Sequence, residues 1–326
     1  MDTSPTNYNL TFEPDLKKFT FTGLETISVN CKKSVNVIRM NCAELKIKSC
    51  VVKSGGQIIK SSPKTNEKKE ELEIKLGEKI RGSCTIHLEF EGILNDRLLG
   101  FYRSKYQQNG KTKYLATTQF EAADARRAFP CWDEPEAKAT YDISIIAENK
   151  FTAISNMPVK TKKKTGNKTT YHFQRTPLVS TYLIYLGVGE FEYLTGRAGK
   201  IQIRVVTTKG NTSKGKFSLE LGKKLLTSYE KYFGIKFPLP KLDLIAVPDF
   251  AAGAMENWGA ITFRETILLY DPKTSSTRTK QFIAEVISHE IAHMWFGNLV
   301  TMKWWNDLWL NESFATFMAT KFVDKF

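Results

Sequence analysis

Near residue 190 the sequence changes its pattern, and the change divides what the chain can become. Before it, short segments alternate apolar with polar residues or run apolar with β-branched and aromatic side chains. Examples are Phe19–Val29, Ser34–Met40, Glu44–Val52, Glu71–Lys75, Cys84–Phe90, Thr140–Ala147 and Thr181–Glu190. Clusters of Gly, Asn, Pro and Lys separate them, which predicts short strands joined by hairpins. After residue 190 the period lengthens. Within Ser213–Phe233 the residues Phe217, Leu221, Leu225 and Tyr229 recur at helical spacing, and Gly234 closes the run. Leu242–Val247 reads as a strand, Thr279–Phe296 as a helix and about Asn306 to Phe326 as a last helix. The predicted class is α+β: an N-terminal all-β, sandwich-like domain over residues 1–190, then an α-rich domain over residues 191–326.

Composition narrows the class without naming a function. The chain has 326 residues, 41% hydrophobic and 25% charged. No apolar run approaches the roughly 20 residues that span a bilayer. The first ten residues are polar and hold no signal-like apolar stretch, so a cytoplasmic location is expected, with no membrane partner. The 5 cysteines form no CxxC pair and are expected to be free, buried thiols. The net charge of +14 gathers in two runs, Lys60–Lys69 and Lys160–Lys168. Neither run contains an aromatic residue, so both are expected to be solvated hairpin loops rather than a nucleic-acid surface.

The chemistry concentrates near the end of the sequence. Two of the 4 histidines stand in His289-Glu290-Ile291-Ala292-His293. On a helix, positions i and i+4 share a face, so both imidazoles can reach one metal ion. Glu290 projects beside that pair, where a carboxylate serves as a base for metal-activated water rather than as a ligand. A catalytic zinc takes three protein ligands. Glu312, 19 residues after His293, is placed to be the third if the next helix folds back antiparallel.

The stretch His289–Phe317 resembles the zinc signature of the gluzincin aminopeptidases, the family of aminopeptidase N, puromycin-sensitive aminopeptidase, the tricorn-interacting aminopeptidases and leukotriene A4 hydrolase. Two more motifs stand in the family's order: Gly253-Ala254-Met255-Glu256-Asn257, and Thr118-Gln119-Phe120-Glu121 with the residues that follow. The resemblance implies a saddle-like N-terminal β domain followed by a thermolysin-like zinc-peptidase domain, here incomplete. It implies one Zn2+ per chain, held by His289, His293 and Glu312, with Glu290 as general base and proton shuttle. Glu256 and Glu121 would bind the substrate's free α-ammonium, and Gln119 would line the first side-chain pocket. Gly253 and Ala254 would align the peptide backbone, with Met255 and Asn257 completing the substrate-binding motif. The expected partners are peptides with a free N-terminus, which present a cation to this acidic cluster.

The sequence departs from the family pattern at two places. Ser313 stands where a glycine usually follows the third ligand. The family's members also continue well beyond this point, with further helices and a tyrosine that stabilises the oxyanion; loss of such a donor costs about 100- to 1000-fold in kcat. The chain is therefore expected to be the N-terminal portion of a larger or split aminopeptidase, the rest lying either further along the same polypeptide or on a separate partner chain. The alternative is a catalytically impaired fragment that acts as a zinc-binding or interaction scaffold. Trp295, Phe296, Trp304, Trp305 and Trp309 are expected to pack as core around the zinc helices. Arg126, Arg127, Asp133 and Glu134 are expected to shape the interface between the two domains.

Overall fold

The alternating N-terminal pattern becomes, in the computed structural model, a nine-stranded sheet. The structure describes residues 2–324, so the expected end of the last helix at Phe326 lies outside the described residues. The chain divides into two units. The first comprises Met1–Arg103, Thr118–Asn149 and Val159–Leu186; the second comprises Ser104–Thr117, Lys150–Pro158 and Gly187 onward.

In the first unit the sheet order is Val159–Thr165, Lys168–Phe173, Thr140–Glu148, Thr3–Asp15, Thr20–Asn41, Glu71–Ile93, Lys46–Ser54 and Gln57–Ile59. Ser61–Asn66 pairs with Glu71–Ile93 at one end. Thr3–Asp15 runs antiparallel to Thr20–Asn41 and parallel to Thr140–Glu148. Its residues Tyr8, Leu10 and Phe12 turn to one face and are fully buried. There Phe12 meets Phe90, Phe101 and Phe129 edge-on, at centroid distances of 6.3, 6.0 and 6.2 Å. Gly23 and Gly92 make room for these rings: a Cβ at either would stand 2.2 Å from Phe90 or Phe21.

Several expectations need correction. Phe19–Val29 and Ser34–Met40 are not two strands but one, Thr20–Asn41, because register shifts between Cys31 and Val37 absorb the Lys32-Lys33 interruption. Glu71–Lys75 and Cys84–Phe90 merge likewise into Glu71–Ile93. The two lysine runs are largely exposed strands rather than loops: Ser61–Asn66, and the hairpin Val159–Thr165 with Lys168–Phe173 turning at Gly166-Asn167. Arg126 pairs with Asp133 and Glu70, and Arg127 with Asp124, Glu44 and Glu70, all inside the first unit. The cysteines are free; Cys31, Cys42, Cys84 and Cys131 are buried and Cys50 is half-buried.

The second unit carries a five-stranded mixed sheet in the order Phe191–Ala198, Ile201–Thr208, Lys241–Val247, Ala260–Arg264 and Ala254–Met255. Lys241–Val247 is buried along its whole length, as a central strand with parallel neighbours must be. Four helices accompany the sheet: α1 (Lys216–Phe233), the single turn α2 (Glu265–Leu268), α3 (Thr277–His293) and α4 (Trp309–Val323). Helix α1 buries Leu221, Leu225 and Tyr229 and ends at Gly234, whose left-handed φ of 67° lets its N–H reach the Glu230 carbonyl. Helix α3 opens on Ser276, whose hydroxyl accepts from the Thr279 N–H. Its core face is Ile283, Ile287 and Ile291, while Phe282 on another face is 50% exposed. The class is α+β, as the pattern change predicts.

Candidate active site

Three elements of the second unit converge here: the C-terminal turn of α3, the first turn of α4 and the strand Ala254–Met255 with the residues after it. Histidines at i and i+4 of α3 face the same way, with His289 Nε2 and His293 Nε2 2.9 Å apart. Helix α4 brings Glu312 to them, Oε2 standing 3.2 Å from His289 Nε2 and 3.6 Å from His293 Nε2. Helix ends favour this arrangement: a helix C-terminus attracts positive charge and an N-terminus attracts a carboxylate.

The three distances test whether the group fits a metal. A tetrahedral zinc with bonds of about 2.0–2.2 Å needs ligand atoms about 3.3 Å apart. The observed edges of 2.9, 3.2 and 3.6 Å bracket that value. The outer nitrogens are also engaged. His293 Nδ1 donates to the Phe296 carbonyl at 2.9 Å, which leaves Nε2 with its lone pair toward the cluster. His289 Nδ1 lies 3.4 Å from Thr316 Oγ1. Residues, tautomer and spacing therefore fit a divalent cation.

The electrostatics agree. Burial disfavours charge on His293, but the Glu256, Glu312 and Glu290 carboxylates outweigh it and raise its pKa to about 10. Burial alone would raise the Glu312 pKa; the two histidines reverse this and hold it well below the usual carboxylate range. The carboxylates that would stabilise a proton on His293 equally favour a divalent cation, which takes the place of the proton at Nε2.

The residues expected to face the substrate include several that stand near this group. Glu256 is 3% exposed, and its Oε1 lies 3.8 Å from His293 Nδ1. Asn257 is fully buried and donates to Thr262 Oγ1 at 3.2 Å; Met255 is buried beside it. A cavity of about 310 Å³ is lined by Gly253, Ala254, His289, Glu290, Thr316 and their neighbours. Thus Gly253, Ala254, Met255, Glu256, Asn257, His289, Glu290, His293 and Glu312 come together in one unit. Gln119 is the buried last residue of the strand Lys111–Gln119, and Glu121 follows half-buried; both belong to the first unit.

Ser313 is exposed, so the change from glycine meets no obstacle. The tryptophan expectation holds only in part. Trp295 is buried and donates to the Ile235 carbonyl, but Trp304 and Trp309 are 49% and 57% exposed. Sequence reasoning passed over Thr316, and read Tyr229 only as part of a helix face. Thr316 falls four residues after Glu312, the same spacing that links the histidines, so helical periodicity could have found it. Tyr229 on α1 bonds Ser288 through its hydroxyl at 2.8 Å and so anchors α3 one residue before His289; no local pattern signals that contact.

Comparison with known proteins now decides the family. Residues 4–183 match the Peptidase M1 N-terminal domain and residues 217–326 the Peptidase family M1 domain. The chain belongs to the M1 peptidase family. It is similar to Aminopeptidase M1 of Arabidopsis thaliana, 45% identical over 97% of this chain and 37% of that protein. It is also similar to the puromycin-sensitive aminopeptidase of Caenorhabditis elegans, 45% identical over 98% of this chain and 34% of that protein. The alanine/arginine aminopeptidase of Saccharomyces cerevisiae is 44% identical over 99% of this chain and 38% of its own length. The chain thus spans little more than a third of the length of these M1 relatives. Among the described residues, no helix is long and apolar enough to cross a membrane.

Proposed function

We propose that this chain is the N-terminal portion of a zinc-dependent aminopeptidase that removes N-terminal residues from peptides. The observation that carries the reading is the triangle of His289, His293 and Glu312 beside the Glu290-lined cavity. These three residues would hold one Zn2+. When bound there, zinc supplies a Lewis acid and lowers the pKa of water toward about 7.

The remaining work falls to the chain. Glu290 lies at the cavity wall, takes the proton of the attacking water and returns it to the leaving amine. Glu256 pairs with the substrate's α-ammonium, fixing which peptide bond meets the site; positioning of this kind lowers the barrier through effective molarity. We assign Glu121 to the same ammonium and Gln119 to the first side-chain pocket. Ala254 on the edge strand Ala254–Met255, with Gly253 just before it, offers backbone for the peptide to align against. Free thiols support a reducing compartment, the cytoplasm.

We further propose that polypeptide equivalent to the unmatched part of the relatives, contiguous or supplied by a separate chain, covers α4. Trp309, Phe314 and Phe317 there are 57%, 41% and 60% exposed, and large apolar side chains gathered on the surface of one helix mark an interaction surface. The test is metal analysis together with hydrolysis of an aminoacyl anilide. One zinc per chain is expected, lost in His289→Ala, with at most weak turnover that disappears in Glu290→Gln while zinc stays. Purified protein without zinc and unaffected by His289→Ala overturns the reading. One zinc with no turnover supports the scaffold alternative.

A further inference from the structure

The backbone from Glu256 to Gly259 is fixed carbonyl by carbonyl. Asn298 Nδ2 donates to the Glu256 carbonyl at 2.8 Å, and the Ala260 N–H to that of Asn257 at 2.9 Å. Asn156 Nδ2 donates to the Trp258 carbonyl at 3.0 Å and Lys241 Nζ to that of Gly259 at 2.8 Å. Three of the four donors are buried side chains. Asn156 and Lys241 tie the segment to the sheet side; Asn298 ties it to the histidine helix.

Asn298 is itself set by that helix. Its backbone N–H donates to the His293 carbonyl at 3.1 Å, and the loop that presents it is closed by Gly297 N–H to the Val300 carbonyl at 2.7 Å and by the Thr301 hydroxyl on the Gly297 carbonyl. Gly297 adopts a φ of +125°, open to glycine alone, with His293 Nδ1 3.3 Å from where a Cβ would stand. From His293 to Glu256 the path is therefore two hydrogen bonds, one from the backbone N–H and one from the side chain of a single fully buried residue. No solvent reaches Asn298 to replace its donor.

We infer that Asn298 is a positioning residue: it registers Glu256 against the histidine pair, and so sets how strongly the site prefers a free amine. The inference rests on the reading of Glu256 as the ammonium-binding group. A carboxylate displaced by the loss of this bond still carries its charge, but at the wrong height for an ammonium whose neighbouring carbonyl must meet the histidine cluster.

The test uses the full chain and two probes, L-alanine amide and N-acetyl-L-alanine amide, whose binding is measured by calorimetry, with zinc content measured in parallel. Wild type is expected to prefer the free amine. Asn298→Leu keeps the approximate shape and removes the donor without adding a charge; it is expected to lose about 10- to 100-fold of that preference at unchanged zinc content. If Asn298→Leu does not fold, Thr301→Val loosens the presenting loop and is expected to reduce the preference in the same direction. A wild-type chain that binds both probes alike overturns the reading of Glu256 and this inference with it. A wild-type chain that discriminates, beside a folded variant that discriminates as well, overturns the inference alone.

Discussion

Replacing Lys241 with methionine tests how the second unit is held at its centre. Lys241 Nζ donates to the Ser155 carbonyl at 2.7 Å, the Gly259 carbonyl at 2.8 Å and Asp243 Oδ2 at 2.7 Å. Lys241 and Asp243 are 2% and 0% exposed, and Arg204 grips Asp243 with two bonds of 2.6 Å. Methionine fills a similar volume and donates nothing. The Ser155 and Gly259 carbonyls then lose this donor, although Gly259 keeps the Asp243 N–H at 3.1 Å, and each lost bond is worth about 0.5–1.5 kcal/mol. Removing one partner of a buried ion pair costs about 3–5 kcal/mol, but here Arg204 keeps Asp243 compensated and a costly ammonium is removed. The net expectation is a loss of about 1–3 kcal/mol at pH 7, read by urea unfolding.

The pH dependence has a definite sign. Burial, only partly offset by Asp243, lowers the Lys241 pKa from 10.5 to about 8. Between those values the unfolded chain binds the proton that the folded chain has released, so this group's contribution is full above about pH 10.5 and is lost as pH falls through about 8. At about 1.4 kcal/mol per pH unit the whole interval is worth about 3 kcal/mol. The gap between wild type and Lys241→Met therefore widens from pH 7 to pH 10. A variant within about 0.5 kcal/mol of wild type, with a gap that stays flat over that range, refutes the reasoning.

Two further outcomes are expected. Thr316→Val removes the hydroxyl beside His289 Nδ1 and should weaken zinc binding by about 10- to 100-fold, measured by chelator competition, with the fold intact by circular dichroism. Glu25 is 2% exposed, and burial pushes its carboxyl well above the ordinary 4.5. The folded state then holds a proton that the unfolded state gives up, so stability falls as pH rises above 4.5 toward the folded value. Glu25→Gln should be more stable than wild type at pH 8, with the margin shrinking toward pH 4.

How much of this was legible depended on whether the deciding contact was local. His289, Glu290 and His293 were readable because one helical turn places them, and Glu312 through the motif it completes on the next helix, although residues 294–308 separate the two helices. The Lys241–Asp243–Arg204 cluster was not readable: Arg204 meets Asp243 across a parallel strand pair, and two charges in an otherwise apolar strand carry no local sign of their partner. Thr3–Asp15 hid for a different reason. Tyr8, Leu10 and Phe12 do alternate with polar residues, a local strand signal that was passed over, whereas the parallel partner Thr140–Glu148 is remote in sequence and has no local sign. The exposed Trp304 and Trp309 show the limit of reading large aromatics as core. Burial is a property of what surrounds a side chain, and helix α4 shows both outcomes within a few residues.

The place of Thr3–Asp15 in its sheet also orders the events of synthesis. Its antiparallel neighbour Thr20–Asn41 emerges soon after it, but Asn7 to Phe12 find their other neighbour only in Thr140–Ile145. Until that later strand has left the ribosome, one side of a well-formed apolar hairpin shows unpaired N–H and C=O groups, the kind of edge that recruits stray strands. Pairings this distant also slow folding, because a long loop must close before any contact repays it. The nascent first unit is thus most exposed to misassociation during this interval, when a chaperone that shields strand edges helps it most.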